Sequence, residues 1–373
     1  MIPIARPVLG QEEVDAVVDV LRSGNLAQGR LVEQFERQFA EMLGVKHAIA
    51  VSTGTAALHI ALLAHGVGPG DEVVTTPFSF IATGNCVLYT GARPVFVDVC
   101  DESLNLDPGL IESRITARTK AILPVHLYGY PADMPTIAEI AAKHGLAVVE
   151  DAAQAHGAAI DGRKVGTFGT ACFSFYATKN ITTAEGGVVT TDDDGIAERL
   201  TMLRNHGQRE RYRHEILGYN YRLTDLQAAI GLAQLRRLEE LTRQRIANAE
   251  YLTARLRNVT TPRPRPGYRH VYHQYTVRIR EGRDEAAREL NAAGVGTGVH
   301  YPLPIHKQKL YLDLGYTDSL PVAERASGEV LSLPVHPSLS RHDLDVVVRE
   351  VSRLAPRSAM EVDSRADGRR TAA

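Results

Sequence analysis

Short apolar runs alternate along this chain with longer stretches whose apolar residues recur every three to four positions. These are the periods of buried strands and of amphipathic helices. Residues 11–22 put Val14, Val17, Val18 and Leu21 on one helical face, and Ser23-Gly24 ends that helix. A turn-rich loop at 25–30 leads to a second amphipathic helix at 31–43, closed by Gly44. Apolar runs predict strands at 47–51, 72–76, 94–97, 121–125, 146–150, 171–175 and 188–190. Helices are predicted between them at 55–65, from Pro77 to near Gly91, at 108–115, at 135–144 and at 195–205. Such alternation argues for an α/β fold, a mostly parallel sheet covered by helices on both faces.

Thr224-Asp225-Leu226-Gln227 has the form of a capping box and opens a long helix reaching about residue 258. A strand at 273–279 and helices at 283–293 and 342–354 follow. Residues 1–240 are therefore expected to form a large domain and 241–356 a smaller C-terminal α+β domain. Residues 357–373 are polar and rich in small side chains, the composition of a disordered tail.

Two predicted strands end on reactive side chains. The run at 146–150 stops at Asp151, with Gln154 three residues on. The run at 171–175 passes through Ser174, Phe175 and Tyr176 to Lys179, and Glu185-Gly186-Gly187 follows. Ligands of open α/β sheets collect beyond the carboxyl ends of the strands. An acid and a lysine presented there together suit pyridoxal phosphate, whose aldehyde needs an amine and whose ring nitrogen needs an acidic partner. A solvated lysine would be almost wholly charged at neutral pH, so the amine must sit in a dry or cationic setting. The aromatic residues before Lys179 meet that need.

A further strand, 47–51, runs through Ser52-Thr53-Gly54-Thr55 into a helix. Free backbone N–H groups and the positive helix end make an anion site there, although the same residues also make an ordinary N-cap. Read together with Lys179, they point to phosphate binding through Thr53, Gly54 and Thr55.

The pattern Glu-Asp-Ala-Ala-Gln-Ala-His, then Phe-Ser-Phe-Tyr-Ala-Thr-Lys-Asn, then Glu-Gly-Gly resembles the DegT/DnrJ/EryC1/StrS aminotransferases, from about Ile4 to Leu354. The resemblance implies a fold-type I pyridoxal phosphate enzyme. Its expected reaction moves an amino group from an amino acid, usually glutamate, to a nucleotide-linked keto sugar, with pyridoxamine phosphate as the intermediate form of the cofactor. It further implies that Phe80 stacks on the cofactor ring, Gln154 bonds the ring hydroxyl and Ser174 adds a phosphate contact. Gly218-Tyr219-Asn220-Tyr221-Arg222 matches a motif that enters the neighbouring subunit's site, so a homodimer with shared sites is expected, Asn220 reaching the partner's cofactor phosphate. Ala184 stands where relatives commonly have glycine.

Substrate contacts are less sharply marked. Gln28 and Gly29 lie on a loop that approaches the site in the family, though the residues alone read equally as a connector. Tyr128 follows a strand's carboxyl end. Arg209, with Arg204 and Arg211, makes a basic stretch that suits either a diphosphate or plain solvation. His300 and His306 flank a proline-rich segment that the family carries near its sugar pocket. No Cys, Asp or third His stands at ligand spacing from them, so no metal is expected.

A formal net charge of −2 gives no general affinity for nucleic acid or anionic membrane. Cys86, Cys100 and Cys172 are odd in number and far apart, as in a reduced, cytoplasmic protein. The chain shows neither a transmembrane-length apolar run nor a signal-like start. Three rivals share the fold. A sugar 3-dehydratase is opposed by Lys179, which that branch replaces with histidine. A keto-cyclitol aminotransferase stays open. A non-catalytic binding or regulatory protein is opposed by the intact Lys179 and Asp151.

Overall fold

The computed structural model describes residues 1–354, so the expected tail at 357–373 lies outside the described residues. Seven strands form the main sheet: β1 (His47–Val51), β2 (Glu72–Thr75), β3 (Arg93–Phe96), β4 (Thr119–Leu123), β5 (Ala147–Asp151), β6 (Thr170–Ser174) and β7 (Gly187–Thr191). Their order is β1-β7-β6-β5-β4-β2-β3, and only β7 runs against its neighbours. The register Val51↔Gly187↔Ser174 brings the exit of β1 beside the exit of β6. Asp151↔Cys172 places the exit of β5 at the same edge. All the predicted chemistry therefore leaves the sheet on one side.

Strand alternation explains why both faces are covered. Ile49, Val73, Ala121, Leu123, Val149, Cys172 and Val189 pack with helix α3 (Gly54–Ala64) and residues of α4 (Ala82–Tyr89) and α6 (Asp194–Arg204). On the other face, Ala48, Ala50, Ala171, Phe173 and Val188 meet α2 (Arg30–Leu43) and the first half of α7 (Asp225–Arg255). The remaining helices of this part are α1 (Gln11–Ser23), which lies on α7, and α5 (Met134–His144), which lies behind β4 and β5. Phe39 meets Phe173 and Phe175 edge-on at 5.1 and 5.6 Å, and Phe35 meets Phe175 at 5.3 Å. Edge-on pairs of this kind add roughly 0.5–1.5 kcal/mol each beyond their burial. They anchor the strand that leads to Lys179.

The second half of α7 enters another core. There Ala249 and Leu252 pack with strands β8 (Tyr275–Arg278) and β9 (Val330–Leu333), and with α8 (Arg283–Ala292) and α11 (Arg341–Arg353). Ile2 bridges to Val295, so the start of the chain joins this C-terminal body. Two short helices, α9 (Lys309–Asp313) and α10 (Pro321–Glu329), precede β9.

Several predicted elements are corrected. The helix expected at 108–115 is two 3-10 turns, Pro108–Leu110 and Glu112–Arg114. Asp107 caps the first through the Gly109 amide at 2.9 Å, and Ile111 alone between them is fully buried, too little to hold an α-helix. The helix expected from Pro77 starts only at Ala82, because Thr76 turns the chain by accepting the Phe78 amide at 3.1 Å. Strand β9 was not predicted, being four residues long and preceded directly by a helix. Ala184 adopts φ 69°, the left-handed region that glycine enters freely. Its amide donates to Thr182 Oγ1 at 2.9 Å, one of the bonds that hold the turn.

Candidate active site

Asp151 closes β5 and is buried. Its Oδ2 accepts from the Thr83 hydroxyl at 2.8 Å and its Oδ1 from the Ala153 amide at 3.2 Å. Burial pushes its carboxyl above the ordinary range, against the pull of those bonds and of the Lys179 charge. No ion pair offsets the burial among the described residues. A buried carboxylate left so is waiting for a cation. Lys179 follows β6 in a turn closed by its own amide on the Tyr176 carbonyl at 2.9 Å. Burial lowers its amine to about 8, and the Asp151 charge opposes that shift. At pH 7 roughly one such amine in ten is neutral, against roughly one in a few thousand for a free lysine.

Three histidines surround this amine and all are held neutral. Burial and the Lys179 charge push His156 to about 3, His300 to about 4 and His273 well below its usual range. His156 is buried between Phe173 and Phe175, at 5.4 and 5.2 Å. The His300 Nδ1 meets the Ser332 hydroxyl at 3.0 Å.

The turn after β1 is built around two close approaches. A Cβ at Gly54 would lie 2.6 Å from the Ser174 Cβ, and one at Gly187 would lie 2.4 Å from the Thr53 carbonyl oxygen. Glycine is required at both. Thr53 caps α3, its hydroxyl accepting from the Ala56 amide at 3.0 Å. The first-turn amides of Gly54 and Thr55 have no acceptor inside the helix, and the Ser174 hydroxyl lies beside them. This is an anion cradle.

Gln154 is clamped. Its Oε1 accepts the Tyr128 amide at 2.6 Å, and its Nε2 donates to the Tyr301 hydroxyl at 3.2 Å. Tyr301 in turn lies 6.2 Å from the Phe80 ring, which is 55% exposed. The residues thus suit pyridoxal phosphate: a buried acid without an ion-pair partner, a partly neutral lysine, an exposed ring and a backbone-amide nest lie along one sheet edge.

The other sequence candidates divide between the border of this site and more distant positions. Tyr128 is buried and donates its hydroxyl to the His300 carbonyl. His306 is buried, its Nε2 3.0 Å from Glu324 and its ring against Phe96. Arg209 is paired with Glu198 and, at 2.9 Å, with Glu215. Gln28 lines a groove of about 880 Å³ among α1, α2 and α7, where its side-chain oxygen is buried without a partner. The neighbouring Gly29 amide donates to Asp225 at 2.9 Å. Asn220 is exposed; the flanking Tyr219 and Tyr221 stack at 5.0 Å and face His59. The Tyr221 carbonyl accepts the Ser52 amide at 2.8 Å, so this strip borders the anion cradle of its own chain.

The sequence assigns no role to Thr83 or to the buried Glu150–His126 pair, and it marks Tyr301 only as part of the segment between His300 and His306. Glu150 accepts the amides of Gly166, Phe168 and Gly169 and meets His126 at 3.1 Å, bracing the strand that ends at Asp151. A charged residue inside an otherwise apolar run was the available signal.

The model of the DegT/DnrJ/EryC1/StrS aminotransferase family matches residues 7–352. The chain belongs to this family. Within it, a GDP-perosamine synthase of Caulobacter vibrioides is 44% identical, with 95% of this chain and 98% of that protein covered. A protein of Geobacillus stearothermophilus named as a pleiotropic regulatory protein is 45% identical, with 91% and 94% covered. The crystal structure of DesV from S. venezuelae in complex with a ketimine intermediate superposes with a TM-score of 0.89 at 43% identity, covering 94% of this chain and 95% of that one. The DegT/DnrJ/EryC1/StrS chain has, among the described residues, no helix long and apolar enough to cross a membrane.

Proposed function

We propose that this protein is a pyridoxal phosphate-dependent aminotransferase that moves an amino group from an amino acid, L-glutamate in the favoured reading, to a keto sugar carried on a nucleotide diphosphate. The carrying observation is the partly neutral Lys179 beside the unpaired, buried Asp151. When bound, the cofactor supplies an aldehyde that captures amines and a ring that accepts electrons. Lys179 would hold the cofactor through its amine and, once released, would move a proton between the donor's α-carbon and C4′ as general base and acid. Asp151, oriented by Thr83 and the Ala153 amide, keeps the ring nitrogen protonated. Gln154, its carbonyl held by Tyr128 and one N–H by Tyr301, would offer its remaining N–H to the ring hydroxyl. Thr53, Gly54, Thr55 and Ser174 receive the phosphate, and Phe80 covers the ring.

Asn220 completes the site of a second copy, so the working unit is a homodimer. Exposure of Tyr176 in the single chain supports a covering partner. A cytoplasmic location accords with the three free cysteines. The acceptor is a 4-keto-6-deoxyhexose in preference to a keto-cyclitol, because the relatives that match over nearly the whole chain include a GDP-perosamine synthase. Spectroscopy tests the reading. L-Glutamate should abolish the visible band of the holoenzyme, and a nucleotide-linked 4-keto-6-deoxyhexose should restore it. Restoration by an inosose alone would transfer the assignment to cyclitols, and an unchanging band would leave a binding or regulatory protein.

A further inference from the structure

A cavity of about 400 Å³ lies apart from Lys179, in the seam between the main sheet and the C-terminal body. Residues 101–104 and Tyr130 form one wall, and residues 260–264, Thr276 and Arg280 the other. Its volume is within the range of small-molecule sites and exceeds what an inorganic ion fills.

The lining separates into a charged rim and an aromatic floor. Arg278 is spent, bonding Asp101 at 2.8 Å and Glu329 at 2.6 Å, and Arg265 has Glu102 at 3.8 Å. Arg263 and Arg280 are exposed at the rim and have no carboxylate partner among the described residues. The acids of the cavity are thus matched, and two guanidinium groups are left over. On the floor the buried Tyr130 and His270 rings lie 5.4 Å apart, Tyr130 against Tyr268 and His270 stacked on Tyr272 at 3.8 Å, and His270, pushed down to about 3 by burial, carries no charge. Thr260, Thr261 and Thr276 also line the cavity, the Thr276 hydroxyl bonded to Ser332 at 2.9 Å. Guanidinium pairs with phosphate, hydroxyls with a sugar, and ring faces with a base.

From this arrangement we propose that the cavity is a second ligand site, for a nucleoside phosphate, distinct from the Lys179 site. It touches that site from behind. Thr276 meets Ser332 at 2.9 Å and Ser332 meets His300 at 3.0 Å, while Tyr128, in the cavity wall, donates to the His300 carbonyl. The proposal stands on this lining and does not depend on which acceptor the Lys179 site takes.

The chain has no tryptophan, so Tyr130→Trp places a single fluorescent reporter on the floor. Titrating that holoenzyme with uridine diphosphate should change its emission. Adding Arg263→Ala and Arg280→Ala should weaken the apparent affinity at least tenfold, while adding Lys179→Ala should leave it unchanged. Equilibrium dialysis of the wild-type holoenzyme needs no reporter. It should find one arginine-dependent uridine diphosphate per chain, beyond any held beside Lys179, that the double arginine variant loses and Lys179→Ala retains. Silent emission with no arginine-dependent binding in dialysis overturns the site. Inorganic pyrophosphate binding as tightly as the nucleotide overturns its nucleoside character.

Discussion

Asp151, Ser174 and Lys179 leave the sheet from strands whose exit ends are buried, whereas Arg209 and Asn220 lie on an exposed hairpin and strip beside it. In the first region each polar group is held by an element with few alternatives. Phe39 and Phe35 pin the strand to Lys179, Glu150 braces the strand to Asp151, and Gly54 and Gly187 admit the cradle only without side chains. In the second, the charges are spent on one another, Arg209 on Glu198 and Glu215. The comparison teaches that the interior groups are fixed by packing within one chain, whereas those of the strip are not.

The largest expected effect is at Lys179. Lys179→Ala should lower turnover by at least roughly 10³-fold, the scale of losing a general acid–base group. Borohydride reduction of the wild-type holoenzyme should label the peptide holding residues 175–180, and the variant should take no label. Normal turnover by Lys179→Ala would remove the interior region from the chemistry.

Asp151→Asn should keep the cofactor and slow turnover on the order of 10²-fold, since a neutral amide cannot hold the ring nitrogen's proton at a buried site. Steady-state kinetics beside the cofactor's absorbance would measure both. A variant near wild type in both takes Asp151 out of that role.

Mixing inactive Lys179→Ala with inactive Asn220→Asp sharpens the contrast between interior and strip. The carboxylate introduced by the second substitution would repel the phosphate. If each site is shared, random exchange gives half the dimers one intact site, and activity should return to about a quarter of wild type. Activity that stays low would assign Asn220 to its own chain.

Arg209→Ala should do least. Its guanidinium is already paired and half-exposed, so stability should change by less than about 1 kcal/mol and the KM for the keto sugar by less than about threefold. A tenfold rise in KM, with folding unchanged by thermal melting, would make the hairpin a diphosphate clamp and break the comparison.

The main sheet was legible because each strand is a compact apolar run, and period two sends Val73 to one face and Val74 to the other. The acid and lysine were legible because they directly follow such runs. Segments with one buried anchor were not, as the turns around Ile111 show. Likewise the contacts of His306 and Tyr128 could not be read, since their partners Glu324 and His300 are 18 and 172 residues away.

By itself, then, the sequence determined the alternation of strands and helices, the edge at which ligands gather and the residue types offered there, because these follow from local periodicity and from what ends each run. Tertiary structure alone decided that Thr83 orients Asp151, that three histidines beside Lys179 stay neutral, that Arg209 is already paired and that a second cavity opens behind Tyr128. Those outcomes depend on desolvation and on hydrogen bonds between distant segments, and neither quantity exists until the chain has packed.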